Sequence, residues 1–385
     1  MKRTILCLML LTGAMSVAAM GNSEINSQWR KKTISVKGGG EAPGIITLLK
    51  AFNSQYSVWS VGEVLKQADN PAPTTRQEGT AFIYDSDDDY RILVDRRNGY
   101  VDLASETDID QMQACVWRKN DGHRIFAVSL YDQQTPDPDV LCWYDYDPAT
   151  QTLKPERSPL DDFKPSSKGA FIAWHLPMKG TDFEIYEYYN LLSTPLKHIY
   201  KWDRERFSLA KTLLNGFQYF PSAGSTHYEM LHPGCEWTHY AMVDLGDDSD
   251  PVLLLGQIAD GKVLSQLMIA SFKGDLVNIG EASADYGEIH VYQLPQKSDA
   301  QRLAVQYRDK AGGYWYSIIE NCYVQFTISD LPNFMNPEEG NLIEVASGYG
   351  SPDESTAILD QLGQEVDLLM KTKWHPVEIV MEEYE

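Results

Sequence analysis

Apolar positions change their period twice along the chain. Between Ile46 and Leu65 they recur at helical spacing: Ile46, Leu49 and Phe52, then Val58, Val61, Val64 and Leu65. This predicts one or two short helices, entered through the breaker "GGGEAPG" from Gly38 and left through the linker "NPAPTTRQEG" from Asn70. From residue 78 to 330 the pattern becomes short apolar runs between turns. "YRILVDRRNGYVDLAS" reads as a hairpin with Asn98-Gly99 in its turn, the strongest short hairpin signal. "QACVWRKNDGHRIFAVSLYD" repeats the device with Asp121-Gly122, and "DVLCWYDYD", "AFIAWHLP", "DFEIYEYYN" and "HIYKWDRERF" follow as strands. The second half supplies "HYAMVDL", "PVLLLGQIADGKVLSQLMIASF", "EIHVYQLP", "RLAVQYRD", "GYWYSIIE" and "CYVQFTIS". Past residue 331, "STAILDQLGQEVDLLMKT" reads as a helix in preference to a hairpin across Leu362-Gly363, and "HPVEIVMEEYE" as a last strand.

Two stretches share one layout. "FAVSLYDQQTPDPDVLCWYDYDPATQTL" from Phe126 and "YAMVDLGDDSDPVLLLGQIADGKVLSQL" from Tyr240 each run strand, acidic turn, Asp-Pro, apolar strand, small turn, strand. Repeated strand hairpins favour a propeller over a sandwich, because each blade is one such unit. The expected fold is therefore mainly β, with four regions. A leader spans 1–19, a short helical segment and linker 20–77, a propeller-like body of repeated antiparallel hairpins 78–330, and a small α+β tail 331–385.

"YAMVDLGDDSDPVLLLG" from Tyr240 resembles the blade motif of calcium-loop β-propellers of the FG-GAP or integrin-like kind. Asp244 and Asp248 match the first and third acidic positions of that motif, and Leu253 matches its leucine. Gly246 stands where the second Asp should be and Val252 where the Glu should be. The resemblance covers 17 residues here and implies a fold class and, through Asp244 and Asp248, a calcium site. Hard cations need several oxygen ligands, and two expected side chains are missing, so a solvated turn between strands is the preferred reading. Asp85, Asp87 and Asp89 in "YDSDDDY" form a second acidic run that reads as a solvated surface.

Composition narrows the partners. The 385 residues carry a formal charge of −22, which repels nucleic acid and anionic lipid surfaces. The start, "MKRTILCLMLLTGAMSVAAM", has a basic Lys2-Arg3 pair, a short apolar run and the small residues Val17 and Ala19. That is the pattern of an export signal cut after Ala19, and the run is shorter than the roughly 18 residues of a membrane span. No later run is long enough to be a transmembrane segment. A periplasmic or extracellular location follows as the expectation. Four cysteines lie beyond the leader: Cys115, Cys142, Cys235 and Cys322. An even count in an oxidising compartment suggests disulfides, with Cys115–Cys142 and Cys235–Cys322 the attractive pairing, against four buried free thiols.

The chemistry-bearing residues select no reaction. No Gly-x-Ser-x-Gly, His-Glu-x-x-His or P-loop is present. His227, His232, Cys235 and His239 are dense, but their spacing matches no zinc motif. Asp182 and Glu184 would share one face of a strand, where two carboxylates could serve glycoside hydrolysis or simply face solvent. Trp174, His175, Trp202 and Asp203 sit near strand ends, where propeller loops bind ligands, and are the ligand-binding candidates. The 22 Tyr and 9 Trp suit strands and also sugar stacking. The expectation is a secreted, non-catalytic binding protein of the cell envelope, its partner a glycan or another envelope protein. No cofactor is expected apart from the calcium just described. The alternative is an extracellular glycan hydrolase using paired carboxylates.

Overall fold

The structure is a computed structural model. It describes residues 20–380 apart from 73, 86–89, 106–109, 132–138, 167–169, 189–195, 216, 221–225, 230–236, 244–251, 260–262, 272–288, 298–299, 309–313, 322–341, 351–365 and 368–372. The chain forms two units, the first built from residues 1–158 with 176–181 and 204–206, the second from the remainder.

In the first unit, helices α1 (Asn22–Gln28), α2 (Ile45–Tyr56) and α3 (Trp59–Asp69) accompany nine strands. These are β1 (Ile34–Ser35), β2 (Arg76–Glu78), β3 (Ala81–Asp85), β4 (Tyr90–Asp95), β5 (Tyr100–Ser105), β6 (Asp110–Arg118), β7 (Arg124–Leu130), β8 (Val140–Asp147) and β9 (Thr152–Pro155). They make one antiparallel sheet in which β2 to β9 follow in chain order and β1 pairs with the outer side of β9. The helical periodicity was legible because Leu48, Leu49, Phe52, Val61 and Val64 all point into the core. Ser57 takes the left-handed conformation and caps α2 through its N–H to Asn53 O, and α3 starts two residues on. Phe52 meets the rings of Tyr56, Phe126 and Tyr144, and Trp29 meets Tyr144 edge-on. The helical segment is thus part of the same core as β7 and β8. The opposite face of β6 is covered by residues 176–181: Trp117 Nε1 donates to Thr181 O at 3.0 Å, and Leu176 N to Gln113 Oε1 at 3.0 Å. With both faces covered, β7 and β8 read as continuous apolar runs instead of alternating ones.

Two expectations change here. Residues 76–155 form one continuous ladder, not four-stranded blades, and among the described residues there is no closed barrel or propeller. Cys115 and Cys142 are buried free thiols. Cys115 pairs across to Ala127, whereas Cys142 pairs across to Val128 on the far side of β7. Alternation along β7 puts the two side chains on opposite faces of the sheet, two strands apart, so no disulfide can join them. Burial pushes the Cys115 thiol up to about 12 and raises that of Cys142 as well. Cys235 and Cys322 lie outside the described residues.

The Asn-Gly signal falls in the β4–β5 turn, where Gly99 has φ +70°. Asp95 organises this turn. Its carboxylate accepts hydrogen bonds from Thr80 Oγ1 (2.6 Å), Asn98 Nδ2 (2.7 Å) and the backbone N–H groups of Asn98 (2.9 Å) and Arg97 (3.1 Å). Burial pushes the Asp95 carboxyl upward, but the donors together hold it below its ordinary value. A depressed carboxyl contributes stability that is present above the unfolded pKa and lost as pH falls through the folded one. Asp95→Asn is expected to cost about 1–3 kcal/mol at neutral pH. That cost should shrink once acid protonates Asp95 in the parent. Urea unfolding over a pH series checks this; a gap that persists in acid would refute it.

The second unit contains α4 (Pro159–Asp162) and the strands β10 (Phe171–His175), β11 (Phe183–Tyr188), β12 (Leu196–Trp202) and β13 (Phe207–Asn215). Next come β14 (Phe217–Phe220), β15 (Thr226–Glu229), β16 (His239–Val243), β17 (Val252–Ala259) and β18 (Val263–Ser271). Then follow β19 (Ile289–Lys297), β20 (Ala300–Arg308), β21 (Tyr314–Asn321), β22 (Leu342–Gly350) and β23 (Val366–Asp367), and finally β24 (His375–Pro376) and β25 (Glu378–Val380). They form a five-stranded sheet β10-β11-β12-β13-β25, a hairpin β14-β15, a four-stranded sheet β18-β17-β16-β24 and a five-stranded sheet β22-β21-β20-β19-β23. Leu196 and Leu214 of the first sheet meet Tyr240, Leu253 and Leu255 of the four-stranded one in a shared core with Val377. The expected last strand is present as β24 and β25. The helix expected over 355–372 meets a short strand at Val366–Asp367, and the rest of that stretch lies outside the described residues.

Candidate functional site

The site grows from the alternation of β11. Phe183, Ile185 and Glu187 point inward and are fully buried, while Glu184 and Tyr186 face outward and are half-buried. A carboxylate thus occupies an inward position that its neighbours fill with apolar groups. On β12, Leu196 and His198 point inward likewise. The register pairs Ile185 with His198, Glu187 with Leu196, and His198 with Thr212. Glu187 therefore lies diagonally beside His198 on one face, with Thr212 across from the imidazole. The segment after α4 brings Ser166 to the same place, β16 brings Tyr240, and β24 brings His375.

Five of these groups, Ser166, Glu187, His198, Thr212 and Tyr240, form a hydrogen-bonded network. Glu187 accepts from Ser166 N at 2.6 Å and from Ser166 Oγ at 3.0 Å, and it meets His198 Nε2 at 3.1 Å. Ser166 Oγ lies 3.1 Å from Tyr240 OH, and His198 Nδ1 lies 3.0 Å from Thr212 Oγ1. Tyr240 and Thr212 stand at the two ends of this hydrogen-bonded network. The imidazole beside Glu187 suits a glutamate with no exposed surface, since a buried carboxylate without a partner would be costly. Burial pushes the Tyr240 hydroxyl up to about 12, so it remains a donor at neutral pH.

Above this network opens a cleft of about 420 Å³. Phe163, Tyr200, Leu209, Tyr240, His375 and Pro376 give it an apolar and aromatic lining. Phe163 leans on the His198 ring at 5.0 Å, and His375 stacks on Tyr240 at 5.4 Å with 29° between planes. Burial, reinforced by Lys373, lowers the His375 imidazole and favours its neutral form. At the mouth, Lys211 pairs with Glu378 at 3.0 Å, and Lys164 and Asp162 are exposed. The cleft lining is balanced in charge within a strongly acidic chain. Ser166 meets the carboxylate and not the imidazole, so no relay draws a proton from it. Both nitrogens of His198 are engaged, one with Thr212 and one with Glu187.

The sequence-predicted residues lie elsewhere. Trp174 is buried in β10 opposite Ile185. His175 is exposed at the end of that strand, edge-on to Tyr186 at 5.2 Å. Trp202 packs on Phe207 at 4.7 Å, and Asp203 is exposed beside it. These four sit at one end of the five-stranded sheet, and none lines the cleft. Glu184 faces outward, accepting from Tyr186 OH at 2.6 Å and pairing with Lys197 at 2.9 Å, a surface arrangement. Asp244, Asp248, His232 and Cys235 lie outside the described residues. Among the described residues no group of three or more His, Cys, Asp or Glu side chains could hold a metal ion. Sequence reasoning missed Ser166, Glu187, His198, Thr212, Tyr240 and His375. The usable signal was Glu187 and His198 at inward positions of alternating strands.

A scan against protein-family models finds no match, and a search of curated proteins finds none either. No helix among the described residues is long and apolar enough to cross a membrane.

Proposed function

We propose that this chain is an exported binding protein of the cell envelope whose cleft in the second unit takes a neutral, hydroxylated ligand, the end of a glycan being the best fit. The observation that carries this reading is the hydrogen-bonded network beneath the cleft. Glu187 and His198, the groups best suited to acid–base work, are engaged with each other and with hydroxyls, which favours holding a ligand over transforming one. An aromatic lining with balanced charge suits sugar rings and their hydroxyls. Export rests on the pattern of residues 1–19. The separate meanders β10–β13, β16–β18 and β19–β22 support reading the second unit as blade-like, and the Asp244 loop remains the candidate calcium turn of that reading.

Melting of the processed full-length chain against neutral oligosaccharides of glucose, xylose, mannose and galactose tests it. A bound sugar at a hundredfold excess over Kd adds about 2.7 kcal/mol of stability. His375→Ala should abolish the gain, because His375 reaches the cleft from a short terminal strand. No shift with any sugar would sink the ligand class. Shortened oligosaccharides in the recovered solution would replace binding with the hydrolase alternative. A shift with calcium alone would make the Asp244 loop a cation site.

A further inference from the structure

A sheet edge leaves a row of backbone N–H and C=O groups open to another chain, and proteins usually blunt it with charges, prolines, bulges or shortness. Three edges of this chain follow that rule. β2 reads Arg-Gln-Glu and is exposed throughout. β1 pairs over two residues only and is flanked by the exposed Lys32 and Lys37. β25 closes its sheet with three residues, the first of them Glu378. β10 does not follow it. Its five residues, "FIAWH", include no Lys, Arg, Asp, Glu or Pro, and their register with β11 has no bulge. β11 pairs with one side of β10, and among the described residues no strand pairs with the other. Phe171, at its start, keeps 58% of its surface exposed, more than any other large apolar side chain among the described residues.

We infer that β10 is an interface between two copies of this chain, joined edge to edge in antiparallel fashion about Ala173, so that the five-stranded sheet continues into its twin. The strand is complementary to itself. Antiparallel pairing centred on Ala173 sets Phe171 opposite His175, Ile172 opposite Trp174, and Ala173 opposite its own copy. The smallest side chain thus falls on the two-fold axis. Phe171, Ala173 and His175 share the outward face with Tyr188, Tyr186 and Glu184, their partners on β11. The exposed Phe171 ring would then lie between Tyr188 of its own sheet and His175 of the second copy, an aromatic cross-strand row. An uncharged edge also lets two copies of a chain carrying −22 meet without setting like charges opposite one another. A five-residue ladder is short, which places the contact among weak, transient interfaces with association at micromolar concentrations.

Sedimentation equilibrium of the processed full-length chain, from about 1 to about 200 µM, tests this. The mass should rise from one chain toward two. Ala173→Lys and Ala173→Glu each set like charges on the axis and should each weaken association by at least about tenfold. Mixed in equal amounts, the two variants should associate again, because Lys then faces Glu. Hydrogen exchange of the parent at the two ends of the range gives a reading free of substitutions, in which the amides of β10 gain protection at high concentration. A parent that stays a single chain throughout, or a dimer whose β10 amides gain no protection, would overturn the assignment. So would a dimer that survives both substitutions, or a mixture that stays monomeric although each variant melts like the parent.

Discussion

Glu187→Ala is expected to destabilise the second unit by about 3–5 kcal/mol, the cost of leaving one member of a buried pair without its partner. The alanine would also strand Ser166 N and Ser166 Oγ, which now donate to the carboxylate. His198→Ala should cost a similar amount, since Glu187 would be left without its imidazole partner and with no exposed surface. Replacing both with leucine should cost far less than the two single changes added together, because paired burial is then exchanged for apolar burial. Hydrogen exchange at the amides of β11, β12 and β13 reads this unit directly. A loss in the double-leucine variant as large as the two alanine losses added together would mean that the two residues do not act as a pair.

Phe52→Ala is expected to cost about 3–5 kcal/mol in the first unit, as large-to-small changes of a fully buried aromatic do. The ring lies 4.8 Å from Tyr56 and 6.4 Å from both Phe126 and Tyr144. Its loss therefore opens a cavity between helix α2 and strands β7 and β8. A helical segment that merely capped the sheet would lose its own protection and leave the strands intact. Here the amides of β7 and β8 should lose protection together with those of α2. Protection of the strands unchanged by Phe52→Ala would restore the separate-cap description of residues 20–77.

The strands and both central helices were legible because their patterns are local. Ile46, Leu49, Phe52, Val61 and Val64 keep helical spacing because one face of each helix is buried, and Asn98-Gly99 marks its turn because glycine tolerates positive φ there. The joining of strands was not legible. Hairpin signals state that neighbours pair, and they say nothing of whether a ladder stops at four strands or runs to nine. The Cys115–Cys142 pairing failed for the same reason, since strand parity across β7 decides which face each of these thiols takes. The cleft escaped notice because its residues are scattered from Ser166 to His375, and only strand register and tertiary packing bring them together. Trp174 and Trp202 drew attention as aromatics, yet a buried tryptophan opposite Ile185 and one packed on Phe207 serve packing.

The closing strands β24 and β25 impose an order of events on the newborn chain. β25 covers the edge of β13 in parallel, β24 covers the edge of β16, and Lys211 meets its partner Glu378 only 167 positions later. While the chain emerges from a ribosome, β13 and β16 must wait with bare backbone groups, open to pairing with other chains. Chaperone demand should therefore fall on the interval before residue 380 is released, and cells short of holding chaperones should accumulate aggregates seeded by those two edges.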